Sequence, residues 1–175
     1  ALSHSHQDHA GGLPSVLRSL KPPLLLEGPN PLDHPPHAAV HRQAGEEGCC
    51  IERLCRGRVV RAGEAELVVL HPPPPAPGES VAGPAGSPGA ADLNNGSLVL
   101  LLRHGEVRIL FTGDLEAEGE RAFLASPLAR LAAGCDLLKV AHHGAAEATT
   151  ADFLRLVRPR QAVVSVGRYN RFGHP

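Results

Sequence analysis

The chain has 175 residues, enough for one domain, and its 19 Gly and 17 Pro imply many turns. Lys plus Arg is 17 and Asp plus Glu is 18, a net charge of -1 that excludes a globally basic nucleic-acid-binding domain but leaves room for a local basic patch. With four Phe, one Tyr and no Trp an aromatic base-stacking platform is not expected, no apolar run approaches the roughly 20 residues of a membrane-spanning helix, and the 11 His are clustered rather than scattered.

The first residues carry an H-x-H-x-D-H pattern: His4, His6, Asp8 and His9 stand within six positions and are followed by Gly11-Gly12. In an extended segment His4 and His6 point the same way and reach one ion, while a tight turn aims Asp8 and His9 at a second ion nearby. Two ions about 3.5–4 Å apart can clamp a phosphoryl or acyl oxygen. The plainer alternative is a solvated His-rich loop or a tag remnant, but tags repeat one residue type and do not embed Asp. The chain opens on this motif without a leader pattern and stops just past His174, so a domain truncated at both ends is expected. Leu13, Val16, Leu17 and Leu20 then recur at steps of three and four, predicting a helix with Pro14 in its first turn.

Leu24-Leu25-Leu26, bounded by prolines and Gly28, reads as a buried strand. Residues 29–50 read as mostly loop with a short helix near 36–44, and 58–61 and 66–70 as strands about a turn at Ala62-Gly63-Glu64. Cys49, Cys50 and Cys55 cluster and Cys135 stands apart. Lacking a second C-x-x-C pair, they suggest free thiols in a surface loop plus one buried strand thiol, with a disulfide open only in an oxidising compartment. Residues 71–91 hold seven Pro and four Gly in 21 positions, a flexible excursion within the domain.

Residues 98–102 and 107–111 are the clearest strands, joined by a hairpin at His104-Gly105-Glu106. Helices are expected over 116–133, broken near Pro127, and over 149–157; strands over 136–140 and 161–166 complete a mixed α/β sheet with helices packed outside. Thr112-Gly113-Asp114 puts a carboxylate at a strand's C-terminal edge, where it can bridge two metals or simply cap the next helix. His142-His143-Gly144, also past a strand, offers one His as a ligand and the other as proton donor or substrate contact; the plainer reading is a surface pair at a turn. Asn94-Asn95-Gly96-Ser97 reads as a turn before the best strand. From Phe153 onward there are five Arg and no acid, a local positive field suited to phosphates or merely a solvated face.

Together these segments resemble the metallo-β-lactamase superfamily. The residues that carry the resemblance are Ser3 through Leu13, Leu70-His71-Pro72, Asn94 through Leu102, Thr112 through Glu116 with Gly119-Glu120, Leu138 through Gly144, and Ser165-Val166-Gly167 with Asn170 and Gly173-His174-Pro175. Within that superfamily the chain resembles, over nearly its whole length, the metallo-β-lactamase-like domain of ComEC-type DNA-uptake (competence) proteins. It implies an αββα sandwich, here lacking its first strands, with the site at one edge of the two sheets. It implies His4 and His6 on a first metal and Asp8 and His9 on a second, with Asp114 bridging. His142 would complete the second site, with His143 as the alternative. Two divalent ions, zinc or manganese, are the implied cofactors. Asn94-Asn95 stands where many members have His, so the first ion would be held less tightly or through water or Asn. ComEC-type domains often carry Asp where this chain has His6, and His6 restores the fuller pattern.

The implied activity is metal-dependent hydrolysis of phosphodiesters, of DNA during uptake. Asp8, Asp114 and His143 would serve catalysis, with His143 or His174 protonating the leaving oxygen or holding phosphate. Asn94, Ser97, His143, Asn170, Arg171 and His174 would bind substrate. The implied partners are single-stranded DNA, held by its backbone, and a membrane channel region of the same parent protein. That setting puts the domain on the extracytoplasmic face of a bacterial membrane. Two other readings stay open: a small-substrate metallo-hydrolase for phosphoesters or esters, and a non-catalytic DNA-binding domain of an uptake channel.

Overall fold

The computed structural model describes residues 1–31, 33–75 and 90–175. One helical turn, Gln7–Ala10 (α1), and the helix Leu13–Leu20 (α2) carry the His-rich motif towards strand Leu24–Glu27 (β1). Helix Pro35–Glu47 (α3) is longer than the stretch expected near 36–44. Pro35 and Pro36 occupy first-turn positions whose N–H would be unpaired anyway, and Gly48, at φ 69°, ends the helix in the left-handed region. Strand Cys50–Arg53 (β2), of which only Cys50 falls in the stretch read as mostly loop, pairs parallel with β1. Its four residues show no apolar alternation and none is fully buried, so periodicity could not reveal it.

Strands Val59–Ala62 (β3) and Ala65–His71 (β4) follow, then helix Ala90–Asn95 (α4), strands Val99–His104 (β5) and Val107–Phe111 (β6), and helix Ala117–Leu124 (α5). A 3-10 helix at Pro127–Ala132 marks the expected break at Pro127; strand Leu137–Lys139 (β7), a turn at Ala141–Gly144, helix Ala151–Val157 (α6) and strand Gln161–Val163 (β8) complete the described order. Most of the excursion expected at 71–91 lies outside the described residues; at its ends His71 belongs to β4 and Ala90 to α4.

β3, β4, β5 and β6 pair antiparallel in sequence, and β6, β7 and β8 pair parallel, giving one six-stranded sheet beside the two-stranded β1–β2 sheet. Side chains alternate across a strand, so each central strand feeds two cores. Val68, Leu70, Val99, Leu101 and Leu110 face Phe123 of α5 and Phe153 and Val157 of α6. Val69, Leu98 and Leu100 face the other way, onto Leu26 and Leu54. Leu25 of β1 packs outward on Leu17 of α2 and Val40 and Ala44 of α3. The result is four layers in the order helices, sheet, sheet, helices. Burial on both faces is why 98–102 reads as a continuous apolar run. All four cysteines are free; Cys49 is buried in the helix–sheet core rather than in a surface loop, and Cys135 is buried just before β7.

The parallel strands fix where chemistry can gather. β6, β7 and β8 all end at one edge of the sheet, and their next residues include Asp114, His143 and Ser165. Leu2 pairs parallel with Glu27 at the end of β1, which delivers the His4–His9 segment to that same edge.

Candidate metal centre

Asp114 is the hub. Its Oδ2 accepts from His9 Nε2 at 3.0 Å and lies 3.3 Å from His143 Nε2 and 3.8 Å from His4 Nε2. Asp8 Oδ2 lies 3.1 Å from His143 Nε2 and 3.7 Å from His9 Nε2. One donor atom from each of Asp8, His9, Asp114 and His143 falls within 4.8 Å of all the others. His4 Nε2 stands 3.1 Å from His6 Nδ1, which sets a second pair of nitrogens beside this group.

Backbone and hydroxyl contacts aim these side chains. Gly113 takes φ +56°, and a Cβ there would sit 2.8 Å from the Cβ and Oγ of Ser97, so only glycine fits between the end of β6 and Ser97. The Asp114 N–H donates to Ser97 Oγ (3.0 Å), and Lys139 Nζ lies 3.4 Å from Asp114 Oδ1 while donating to the Gly113 carbonyl at 2.8 Å. His143 Nδ1 donates to the Ser165 carbonyl at 2.7 Å. In a neutral imidazole that leaves Nε2 unprotonated, its lone pair turned towards two carboxylates and His9 Nε2.

Electrostatics sharpen the picture. Burial, then the neighbouring His9, lowers His4 to about 3, and burial lowers His6 as well, so both imidazoles are neutral and free to ligate near pH 7. Burial pushes Asp114 upward, but the hydrogen bond from His9 and the charges of His9, Lys139 and His4 outweigh it and hold the carboxyl well below the usual carboxylate range. A convergence of neutral imidazole lone pairs and carboxylates with few protons to share is a donor set suited to a divalent cation.

The structure brings His4, His6, Asp8, His9 and Asp114 together, and adds His143 rather than His142. His142 Nδ1 instead lies 3.2 Å from Glu116 Oε1, without the alignment of a hydrogen bond, in a separate group with Glu147. Asn94 donates to Glu116 at 2.7 Å, and its Oδ1 is buried without a partner among the described residues. Asn94, His142, His143, Asn170 and His174 line a cleft of about 770 Å³ that opens over Asp8 and Asp114. Ser97, expected to contact substrate, is fully buried behind Asp114. Asn170 spends its side chain on its own loop, bonding Gly167, Phe172 and His174, and Arg171 is exposed. Lys139, Glu116 and Ser3, whose Oγ lies 3.2 Å from His4 Nδ1 and 3.4 Å from His9 Nδ1, were not read as site residues; the Lys-x-x-His-His spacing alone could have flagged Lys139.

Residues 1–168 match the model of the Metallo-beta-lactamase superfamily. ComE operon protein 3 of Bacillus subtilis is 34% identical over 174 residues, covering 99% of this chain and 20% of that protein. Recombination protein 2 of Haemophilus influenzae is 28% identical over 178 residues, covering 99% of this chain and 18% of that protein. The chain thus spans about a fifth of the length of these relatives. Among solved structures, the metallo-beta-lactamase fold protein YhfI from Bacillus subtilis aligns with a TM-score of 0.42 at 12% identity, covering 79% of this chain and 46% of that one. The chain belongs to the metallo-beta-lactamase superfamily and is homologous to ComEC-type competence proteins over nearly its whole length.

Proposed function

We propose that the chain is a metal-dependent phosphodiesterase that cleaves DNA during uptake. The observation that carries this reading is the convergence of Asp8, His9, Asp114 and His143 at the floor of the cleft. His4 and His6 would hold one divalent ion, Asp8, His9 and His143 another, with Asp114 between them. A bound zinc or manganese ion supplies a Lewis acid and a water acidified towards neutral pH.

The chain's own residues supply the rest. Ser97 and Lys139 fix the Asp114 carboxylate, and the Ser165 carbonyl fixes the His143 ring. His174, with its ring 6.3 Å from that of His143, faces the cleft and protonates the leaving oxygen. Arg168 and Arg171 are exposed beside the cleft residues Gly167 and Asn170 and hold the phosphate backbone without reading sequence. Composition argued against aromatic stacking, yet Tyr169 and Phe172 are 85% and 78% exposed, and Phe172 lies against His174. Those faces suit unpaired bases, which favours a single strand. In this reading the domain works on the extracytoplasmic side of a bacterial membrane, beside a channel region of its parent protein.

The test is hydrolysis of fluorescent single-stranded DNA and of bis-p-nitrophenyl phosphate with manganese, with zinc and after chelation. DNA cleavage is expected with metal, is lost on chelation, and falls at least about 100-fold in Asp114→Ala. Full activity in Asp114→Ala overturns the site. Turnover of the small ester alone points to a small-substrate hydrolase. Salt-sensitive DNA binding without turnover under any metal points to a binding module.

A further inference from the structure

A second cluster of ligating groups lies away from the cleft, where α3 crosses the ends of β1 and β2. Glu27 closes β1 and is fully buried. His37 and His41 are one turn apart on α3, so their rings share a face, with centroids 4.2 Å apart. His37 Nε2 lies 2.9 Å from Glu27 Oε2, and His41 Nε2 lies 3.0 and 3.1 Å from its two oxygens. Arg53, from the end of β2, donates through Nε to Oε1 at 2.9 Å, an oxygen it shares with His41, while Oε2 faces both histidines.

The hydrogen-bond inventory of His37 is the informative part. Its Nδ1 lies 2.9 Å from the Pro31 carbonyl, an obligate acceptor, so Nδ1 carries a proton. In the neutral ring Nε2 is then a bare lone pair, yet it faces a carboxylate oxygen at 2.9 Å in a fully buried setting. Two acceptors hold that separation only with a cation between them, either a second proton or a metal. Burial would push Glu27 up, but hydrogen bonds from His37, Arg53 and His41 bring it down to about 2, so the carboxylate is ionised. A ring nitrogen fixed by a backbone carbonyl, with the other nitrogen aimed at a neighbouring donor set, is the arrangement in which proteins present histidine to metals.

We propose that Glu27, His37 and His41 form a site for a divalent transition metal such as zinc, separate from the cleft. Two imidazole nitrogens and one carboxylate oxygen are a three-ligand zinc set that leaves a fourth position for water. His41 is 27% exposed, which gives an ion its way in. Metal bonds of about 2.0–2.2 Å in tetrahedral geometry separate the ligand atoms by roughly 3.3 Å, so each histidine moves from Glu27 Oε2 by only a few tenths of an ångström on binding. The Arg53 guanidinium opposes the added charge and moderates affinity. The ion ties α3 to β1 beneath Leu2, which pairs with Glu27 and leads into His4.

The test uses the whole chain, stripped by chelation and dialysed against zinc, with bound metal counted by mass spectrometry. Asp114→Ala removes the carboxylate shared by the cleft ligands, and a retained zinc equivalent belongs to the Glu27 cluster where its loss follows His41→Gln. His41→Gln is at a partly exposed position, and its fold is checked by circular dichroism. Asp114→Ala is expected to keep one zinc equivalent and to gain in Tm on adding zinc. Asp114→Ala with His41→Gln is expected to lose that equivalent at least tenfold in affinity, together with the Tm shift. Cobalt(II) as the probe should give a visible absorption band in the first protein and not in the second. No zinc retained by Asp114→Ala, or equal zinc in the two proteins, overturns the proposal and leaves the cluster as a proton-held tie.

Discussion

Two adjacent histidines end with different partners because the backbone coils left-handed through both. His142 has φ 43° and ψ 49°, and His143 has φ 53° and ψ 19°. Each such residue costs about 1–2 kcal/mol relative to the right-handed region, and the Gly144 that follows at φ +85° is the only one for which that conformation is free. The coil swings His143 in towards Asp8 and Asp114 and leaves His142 beside Glu116. His143→Ala is therefore expected to weaken metal binding about 100-fold or more, whereas His142→Ala changes it by less than about threefold. Isothermal titration with manganese checks both, and equal losses would mean that either ring can fill the position. The H-x-H-x-D-H spacing and Asp114 were legible as metal-competent residues because their types and spacing say so directly. The choice between His142 and His143 was not, since it depends on two positive φ values that only the neighbouring glycine hints at. Ser97 was misleading in another way: a hydroxyl before a strand looks available, and only the packing shows it spent on the Asp114 N–H.

Elements with a strong period or a long apolar run were readable, and those held mainly by tertiary contacts were not. β5 announces itself because both its faces are buried, and β6 through its apolar run around the buried Leu110. β2 depends on β1 for its place, and α4 sits where Asn94-Asn95-Gly96 reads as a turn. The start of α6 shows how much such contacts supply. Glu120 of α5, only 1% exposed, accepts from the backbone N–H groups of Thr149 and Thr150 and from the Thr150 hydroxyl. Glu120→Ala leaves these half-buried donors without their acceptor, and at roughly 1 kcal/mol each for the two backbone groups the loss is about 2 kcal/mol. Urea denaturation measures it. An unchanged midpoint would mean that the Thr150 side chain, which accepts from the Phe153 N–H, suffices to start α6.

At the scale of the molecule, four layers enclose the cores, and among the described residues no helix is long and apolar enough to cross a membrane. The whole fold also responds to acid through His71 at the end of β4. Burial, opposed by its hydrogen bond to the Asn95 carbonyl and helped by the charge of Arg56, lowers His71 to about 4, against an ordinary 6.5. The native state thus refuses a proton that the unfolded chain accepts. Its contribution to stability is complete above pH 6.5 and is lost as the pH falls from 6.5 to about 4, up to roughly 3 kcal/mol. Urea melts of the protein and of His71→Gln across that window should converge as the pH falls, and parallel profiles would assign the acid response elsewhere. Asp8 and His143 are 135 residues apart, yet their side chains meet. A cation gripped by both is a clasp on a loop that embraces most of the chain, and closing a loop of that length from the disordered state costs roughly 4 kcal/mol of entropy. An ion bound there would be thermodynamically linked to the fold: the clasp would close only when the last-made strands have found the first residues, and a protease probing the amino-terminal segment would sense whether it is fastened.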